Sequence, residues 1–303
     1  MGGDLLVRGA VALARRLDVP PVVVAATVVG FGTSLPEMVV SVQATIEGYP
    51  DLILGNVVGS NIANVLLVGG ASALVYPLLH DDREVRSNLV IMGASLVAFA
   101  GIAATGSIET WAGWVMLGSF VTIMAATAGS TIRARQDADP STPLDWVLGI
   151  PSSLGLIAVF IVAGIVMLPL GADLLVDSAV TIAARFQVPE AVIGLTILAV
   201  GTSLPELTTT VLAAFEKRSD VAIGTIVGSN TFNILAIMGL TASISPGAIH
   251  VSQRMLWLDV PVMLVTSGAL GFFAWRARPV GRVGGLVMLA TYVVYLATLA
   301  VFV

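Results

Sequence analysis

The chain has 303 residues, of which 57% are hydrophobic and only 11% are charged. Soluble globular domains carry about 25% charged residues, so this composition excludes an ordinary water-soluble fold. The net charge of −5 comes without any basic cluster, which argues against a nucleic-acid partner, and the absence of cysteine excludes disulfides and thiolate metal sites.

Apolar segments recur along the whole sequence, and most are long enough to cross a bilayer, which takes about 20 residues in a helix. They are continuous and do not alternate between polar and apolar positions, so helices are predicted and not a β-barrel. We therefore expect an all-α membrane protein with about ten transmembrane helices. The predicted spans are 5–17, 19–46, 52–76, 88–104, 110–131, 147–184, 188–214, 221–243, 255–275 and 283–303.

Lysine and arginine are distributed unevenly between alternate loops, and such residues favour the cytoplasmic side. One set of loops holds only Arg185 and Arg254. This bias predicts a multi-pass protein of the cell (inner or plasma) membrane, with both termini outside and the linker 133–146 in the cytoplasm. The richer set of loops holds Arg15, Arg16, Arg83, Arg86, Arg133, Arg135, Lys217, Arg218, Arg276, Arg278 and Arg282.

The sequence repeats itself at an offset of 169 residues. Residues 30–64 and 199–233 align without gaps and are identical at 16 of 35 positions. Five spans fit in one period, and because five is odd the second copy is expected to enter the membrane upside down, as in many secondary transporters. We predict a first inverted repeat at 1–132, the short linker at 133–146 and a second inverted repeat at 147–303.

The first span is short compared with its counterpart in the second repeat, which has a complete helix before Gly171. This difference suggests a truncated first helix, from an internal start site or a shortened gene model. The alternative is a natural half-span lying in the membrane interface.

Each repeat places one glutamate inside an apolar span, within the motif Gly-Thr-Ser-Leu-Pro-Glu that ends at Glu37 and at Glu206. An ionisable group at that depth is costly by several kcal/mol on most estimates, and as a rule it marks an ion pathway or a functional site. The structural alternative is a glutamate that reaches the interface or pairs with arginine, but neither span contains a basic residue near the motif. Two equivalent glutamates therefore predict a site formed by both repeats.

Residues around these glutamates add oxygen atoms. Pro36 and Pro205 are expected to kink their helices and free the carbonyls of Gly32 and Gly201. A second repeated motif, Gly-Ser-Asn-x-x-Asn, covers residues 59–64 and 228–233. Its serine and last asparagine are four residues apart and share a helix face, although close helix packing alone is an alternative explanation for the small residues.

The combined set is made of oxygen ligands only, which hard cations such as Ca²⁺ and Na⁺ prefer, whereas zinc or copper would favour Cys or His. Two carboxylates balance one Ca²⁺, and several Na⁺ ions could use the same oxygens in turn. No organic cofactor and no obligatory protein partner are expected. The expected partners are Ca²⁺ and Na⁺ as substrates and the lipid bilayer.

These two motifs resemble those of the cation/calcium exchanger superfamily, and in particular its sodium/calcium exchanger branch, over essentially the whole chain. The resemblance implies Ca²⁺ export coupled to Na⁺ entry by alternating access. It also implies a calcium site between two flanking sodium sites. The calcium site would comprise Glu37, Glu206 and the backbone oxygens of Thr33 and Thr202.

By the same resemblance, the two flanking sodium sites would use equivalent residues from the two repeats, and the remaining polar residues would complete the centre. One sodium site would comprise the Gly30 carbonyl, Thr33, Ser60 and Glu206, and the other the Ala199 carbonyl, Thr202, Ser229 and Glu37. Asn64 and Asn233 would complete the centre, and Ser34 and Ser203 would line it.

Two departures from the family pattern matter. Some prokaryotic relatives carry Asp where this chain has Asn233, and losing that charge weakens the case for the usual stoichiometry. The loop 133–145 is too short to hold the calcium-sensing domains of animal exchangers, so regulation of that kind is not expected.

Three alternatives to Na⁺/Ca²⁺ exchange follow from the residues. An H⁺/Ca²⁺ antiporter is the nearest, because desolvation favours the neutral form of a buried carboxyl group, which can then carry a proton. An intramembrane protease would need a buried His or Lys to activate a serine, or a pair of aspartates in the middle of the spans, and the sequence offers neither. A passive channel is usually an oligomer around a shared pore, whereas here two halves of one chain supply the site.

Overall fold

The computed structural model describes residues 5, 8, 9, 12, 13, 16, 32–78, 83–135, 151, 153–217, 219–276 and 278–301. Nearly all of these residues are helical, and the two short strands pair with each other in antiparallel register. The helices are α1 Leu35–Glu47, α2 Pro50–Val75, α3 Arg83–Ala103, α4 Thr110–Arg135, α5 Leu154–Phe186, α6 Glu190–Thr202, α7 Leu204–Phe215, α8 219–244, α9 Met255–Trp275 and α10 Arg282–Val301; the strands are β1 Ser107–Ile108 and β2 Ile249–His250.

Six of the described helices, α2, α3, α4, α8, α9 and α10, are long and apolar enough to cross a membrane, and the bent pair α6–α7 makes a possible seventh span. In α5 the apolar stretch covers Leu154–Gly164. The predicted all-α membrane architecture is therefore confirmed. The predicted span 19–46 is described only from residue 32 onward, and the predicted span 5–17 only at residues 5, 8, 9, 12, 13 and 16. Of the linker 133–146, the first three residues extend α4 and the rest lies outside the described residues.

The distribution of side chains is that of a protein dissolved in lipid. Large apolar side chains cover the outside, among them Trp257, Val283 and Val265, whereas many serine, threonine and asparagine side chains are fully buried. In hydrocarbon an exposed apolar group costs nothing, and a polar group is tolerated where protein partners surround it. The polar centre of the molecule is therefore its distinctive feature.

Prolines mark the start of two helices that enter the polar centre. α1 begins at Leu35 after a turn at Thr33 and Ser34, and α7 begins at Leu204 after Ser203, with proline in the first turn of each. Proline suits a first helical turn, where an N–H group would lack a helical partner anyway. The axes of α6 and α7 differ by 46°, which confirms the predicted kink in the second repeat.

Helices α2 and α8 widen in mid-span into short π-helical stretches, Asn64–Gly69 and Asn233–Ile237. Each stretch starts at the last asparagine of its Gly-Ser-Asn-x-x-Asn motif. π-Helical turns are rare and occur frequently at functional sites. The equivalent placement was not predicted from the sequence, and it gives both repeats the same local distortion beside the buried polar residues.

Two close helix contacts occupy matching places in the two halves. A Cβ atom added to Gly70 of α2 would lie 3.0 Å from the carbonyl oxygen of Gly285 in α10, and one added to Gly239 of α8 would lie 3.2 Å from that of Gly113 in α4. Gly70 and Gly239 are equivalent at the offset of 169 residues. Each central helix is thus held by the last helix of the other half.

A buried acidic group lies outside the polar centre, at the start of α9. Asp259 is fully buried, pairs with Arg254 at 3.5 Å and accepts a hydrogen bond of 2.9 Å from the Tyr295 hydroxyl of α10. Neither Asp259 nor Tyr295 was singled out from the sequence. The contact joins the N-terminal end of α9 to α10.

Replacing Tyr295 with Phe should destabilise the protein without altering ion transport. The substitution leaves one oxygen of Asp259 without its donor, at a cost of about 1–3 kcal/mol. Thermal unfolding in detergent micelles should therefore begin at lower temperature than in the wild type. An unchanged melting temperature would show that this hydrogen bond contributes nothing.

Candidate cation site

Helices α1, α2, α6, α7 and α8 bring the repeated motifs together in the middle of the protein, where every predicted site residue that the structure describes is buried. Gly30, predicted to contribute its carbonyl, lies outside the described residues. The two glutamates are each 1% exposed. The other buried members of the predicted set are Thr33, Ser34, Ser60, Asn64, Ala199, Thr202, Ser203, Ser229 and Asn233.

Serine–glutamate hydrogen bonds cross between the repeats. The Ser34 hydroxyl donates to Oε1 of Glu206 at 2.6 Å, and the Ser203 hydroxyl donates to Oε1 of Glu37 at 3.0 Å. Ser229 also donates to Glu206, at 3.3 Å, whereas the family resemblance grouped it with Glu37. Each carboxyl group is therefore held by the turn that precedes the other.

The two carboxyl groups lie close enough to repel each other electrostatically. Neither forms an ion pair with a basic residue among those the structure describes. The side chain of Thr202 lies against the carboxyl group of Glu37, and that of Thr33 lies against Glu206. Two carboxylates that are buried away from water without a compensating charge are unfavourable unless cations or protons bind to them.

Within the part of the chain that the structure describes, several fully buried oxygen atoms of this centre have no hydrogen-bond partner. A buried polar atom left unpaired costs about 1–3 kcal/mol, so a cluster of them indicates a missing ligand. The atoms belong to both repeats and to four helices. They are Glu37 Oε2, Glu206 Oε2, Ser60 Oγ, Asn61 Oδ1, Asn64 Oδ1 and Asn233 Oδ1.

Asparagine side chains tie α2 to α8 beside the carboxylates. Nδ2 of Asn64 donates to Oδ1 of Asn230 at 3.1 Å, and Nδ2 of Asn230 donates to the backbone carbonyl of Asn61 at 3.3 Å. The amide nitrogen of Asn64 is thus engaged by protein, while its oxygen stays available. Asn61 and Asn230 belong to the repeated motif, but no role in the site was predicted for them.

Sequence reasoning also missed Asn56 of α2. Its side chain is fully buried and contacts Glu37, Ser41 and Thr202. The available signal was an amide within an apolar stretch, four residues before Ser60 and so on the same helix face. The second repeat has Thr225 at the equivalent position, so the repeat comparison did not point to it.

The chemistry of the centre suits a hard cation. Among the residues that the structure describes, no group of three or more His, Cys, Asp or Glu side chains could hold a metal. The donors are instead two carboxylates supplemented by hydroxyl, amide and backbone oxygens. Ca²⁺ accepts 6–8 such oxygens in a flexible arrangement.

Comparison with known proteins agrees with this chemistry. The family model described as "Sodium/calcium exchanger protein" matches residues 1–128 and 156–301. The chain belongs to the sodium/calcium exchanger family. The identification made from the Gly-Thr-Ser-Leu-Pro-Glu and Gly-Ser-Asn-x-x-Asn motifs is therefore confirmed.

Similar proteins match nearly the whole chain. Inner membrane protein YrbG of Escherichia coli (strain K12) is 34% identical over 299 residues, covering 98% of this chain and 91% of its own length. Sodium/calcium exchanger MaX1 of Methanosarcina acetivorans is 30% identical over 331 residues, covering 98% and 94%. The solved structure of the sodium-calcium exchanger NCX_Mj superposes with a TM-score of 0.68 at 29% identity, covering 98% of this chain and 93% of that one.

Membership of the sodium/calcium exchanger family makes this chain a multi-pass membrane protein of a transporter family. The relatives and the apolar helices together confirm the predicted membrane localisation. The family match does not assign roles to individual residues.

Proposed function

We propose that the protein is a secondary antiporter that exports Ca²⁺ in exchange for Na⁺, with both ions bound at the centre formed by Glu37 and Glu206. The observation that carries the proposal is the cluster of buried, unpaired oxygen atoms around two carboxylates that have no basic partner among the described residues. One Ca²⁺ would neutralise both carboxylates, and Na⁺ ions would replace it in adjacent subsites. Occupancy by one ion type at a time gives exchange its simplest physical basis.

The proposed calcium ligands are the carboxylates of Glu37 and Glu206 and the backbone oxygens of Thr33 and Thr202. In both glutamates the Oε2 atom has no hydrogen-bond partner, which supports this role. Asn64 and Asn233 complete the centre through their amide oxygens, and Ser34 and Ser203 orient the carboxylates. No ligand other than the transported ions is required.

Two flanking sodium subsites are proposed, one on either side of the calcium site. One uses Thr33, Ser60 and Glu206 with the carbonyl of Gly30, and the other uses Thr202, Ser229 and Glu37 with the carbonyl of Ala199. The unpaired Ser60 hydroxyl supports the first. In the second subsite, the Ser229 hydroxyl donates to Glu206, so we infer that the Ser229 oxygen is shared with the central calcium site.

The architecture that we infer is ten spans in two inverted repeats, with alternating access to the central site. The crossed serine–glutamate bonds support a site shared equally by the repeats. The equivalent π-helical stretches and the matching glycine contacts of α2 with α10 and of α8 with α4 support a two-fold relation between them. Inverted repeats of this kind place the substrate near the middle of the membrane.

The coupling ion can be tested with the purified protein in lipid vesicles. Vesicles loaded with Na⁺ and diluted into Na⁺-free buffer should accumulate ⁴⁵Ca²⁺, because outward Na⁺ flow drives Ca²⁺ inward through protein in the matching orientation. A pH gradient without Na⁺ should drive no uptake. Uptake that follows the pH gradient and ignores Na⁺ would instead establish H⁺/Ca²⁺ exchange, with the glutamates as proton carriers.

Exchange can be separated from passive conduction in the same vesicles. Unlabelled Ca²⁺ inside should stimulate entry of labelled Ca²⁺, because the binding site of an antiporter must carry an ion back across the membrane before it can bring in the next one. A pore would show no such stimulation.

A further inference from the structure

The side chain of Asn56 is brought to the cation centre by close packing of α2 against α6. Cβ atoms added to Gly55 and Gly59 would lie 2.7 Å from the Ala191 carbonyl oxygen and 2.8 Å from the Leu195 Cα, respectively. The two glycines are four residues apart and form one face of α2. Asn56 and Ser60 are likewise four apart, on the neighbouring face, so Asn56 lies one turn from a proposed ligand.

Asn56 uses three of its four hydrogen-bonding positions, each on a different group. Nδ2 donates to the backbone carbonyl of Glu37 at 3.1 Å and to the Ser41 hydroxyl at 2.9 Å. Oδ1 accepts from the Thr202 hydroxyl at 3.3 Å. One fully buried amide therefore links α1, α2 and α6 next to the glutamate of the first repeat.

The contact with Thr202 bears on how that hydroxyl can meet a cation. A threonine hydroxyl has one proton and two lone pairs. Here the hydroxyl has three acceptors within hydrogen-bonding distance: the Leu198 carbonyl at 2.9 Å, Asn56 Oδ1 at 3.3 Å and the Ala199 carbonyl at 3.5 Å. With its proton held by these acceptors, the oxygen of Thr202 keeps lone pairs for a bound ion.

The two positions of the second repeat that correspond to Asn56 and Ser41 make different contacts. Thr225, the equivalent of Asn56, donates to the Val221 carbonyl of its own helix at 2.9 Å. Thr210, the equivalent of Ser41, is fully buried and its hydroxyl has no hydrogen-bond partner. The two halves therefore share their proposed ligand residues but differ at these two neighbouring positions.

We propose that Asn56 is a positioning residue that fixes Thr202 and the Glu37 turn for Na⁺ binding at the subsite formed by Ala199 and Thr202. This inference rests on the proposed function. Asn56 acts on the flanking subsite because its contacts reach a hydroxyl and a backbone carbonyl and leave both carboxylates untouched. Ca²⁺, held chiefly by the two carboxylates, depends on it much less.

The test is Asn56→Thr, which gives α2 the residue that α8 carries. The half-saturating Na⁺ concentration for Na⁺-driven ⁴⁵Ca²⁺ movement should rise at least about fivefold, which corresponds to about 1 kcal/mol. The half-saturating Ca²⁺ concentration for Ca²⁺/Ca²⁺ exchange, measured without Na⁺, should change less than about twofold. This split separates positioning from general damage, because a purely structural role would shift both values together.

Asn56→Ser provides a second variant that removes the same contacts with less bulk, and it should give the same split. Ser41→Ala is the matched control, since it removes one Asn56 contact without touching Thr202 or Glu37, and it should leave the Na⁺ value unchanged. Equal shifts in Na⁺ and Ca²⁺, or no shift in either, would overturn the inference. Failure of the proposed function is distinguishable, because wild-type protein would then show no Na⁺-driven exchange at all.

Discussion

Replacing Glu37 with Gln, or Glu206 with Gln, is expected to abolish Ca²⁺ transport. Each substitution keeps the shape of the side chain but removes one of the two charges that balance a dehydrated Ca²⁺. Losing one member of a buried charge pair costs about 3–5 kcal/mol, or more than about 100-fold in affinity. The measurement is ⁴⁵Ca²⁺ uptake into vesicles, with the Ca²⁺-dependent rise in melting temperature as an independent readout of binding.

The glutamine variants should remain folded. Without cations, removing one of two mutually repelling carboxylates relieves strain in the free protein, so its melting temperature should be equal to or higher than that of the wild type. Glu109→Gln is the matched control, because Glu109 is exposed in the turn before α4 and lies away from the centre. Transport at the wild-type rate by either central variant would remove the basis for the proposed site.

Gly59→Ala is expected to impair both stability and transport. The new methyl group would lie 2.8 Å from the Leu195 Cα and 2.8 Å from the Ala199 Cβ, so α2 and α6 would have to separate. Overpacking of this kind costs about 1–3 kcal/mol. The separation would also pull Ser60 away from the end of α6 that carries Thr202. We expect at least about tenfold slower Na⁺-driven Ca²⁺ exchange, which corresponds to about 1.4 kcal/mol.

The control for this glycine is Gly268→Ala in α9. Gly268 is exposed on the outside of the protein, and a methyl group there would have no atom within 4 Å. Both variants add the same group to a helix, so intrinsic helix preference affects them alike. If Gly268→Ala proved as damaging as Gly59→Ala, contact between α2 and α6 would not be the cause.

The sequence was sufficient to locate the glutamates and their surroundings. A carboxylate within an apolar span is so unfavourable that two at equivalent positions are informative even without a structure. The helix boundaries were also predictable to within a few residues for α2, α4 and α9, because the change from apolar to polar residues follows the membrane boundary.

The details that join the halves were not predictable. Hydrogen bonds such as those from Ser34 to Glu206 and from Ser203 to Glu37 depend on how the repeats face each other, which residue spacing within one repeat does not reveal. Asn56 was missed because its role has no counterpart at Thr225. The π-helical stretches that begin at Asn64 and Asn233 were also not predicted, because no signal for them was recognised in the sequence.

The crossed bonds between Ser34 and Glu206 and between Ser203 and Glu37 have a consequence for the origin of the molecule. A shorter ancestor with a single copy of the repeat would have owned one glutamate and half of the oxygens, too few for a dehydrated divalent ion. Two ancestral chains would have had to associate to work, and in the proposed architecture they would have been inserted in opposite orientations. Gene fusion would then have joined in one chain two units whose association the buried serines and glutamates already required.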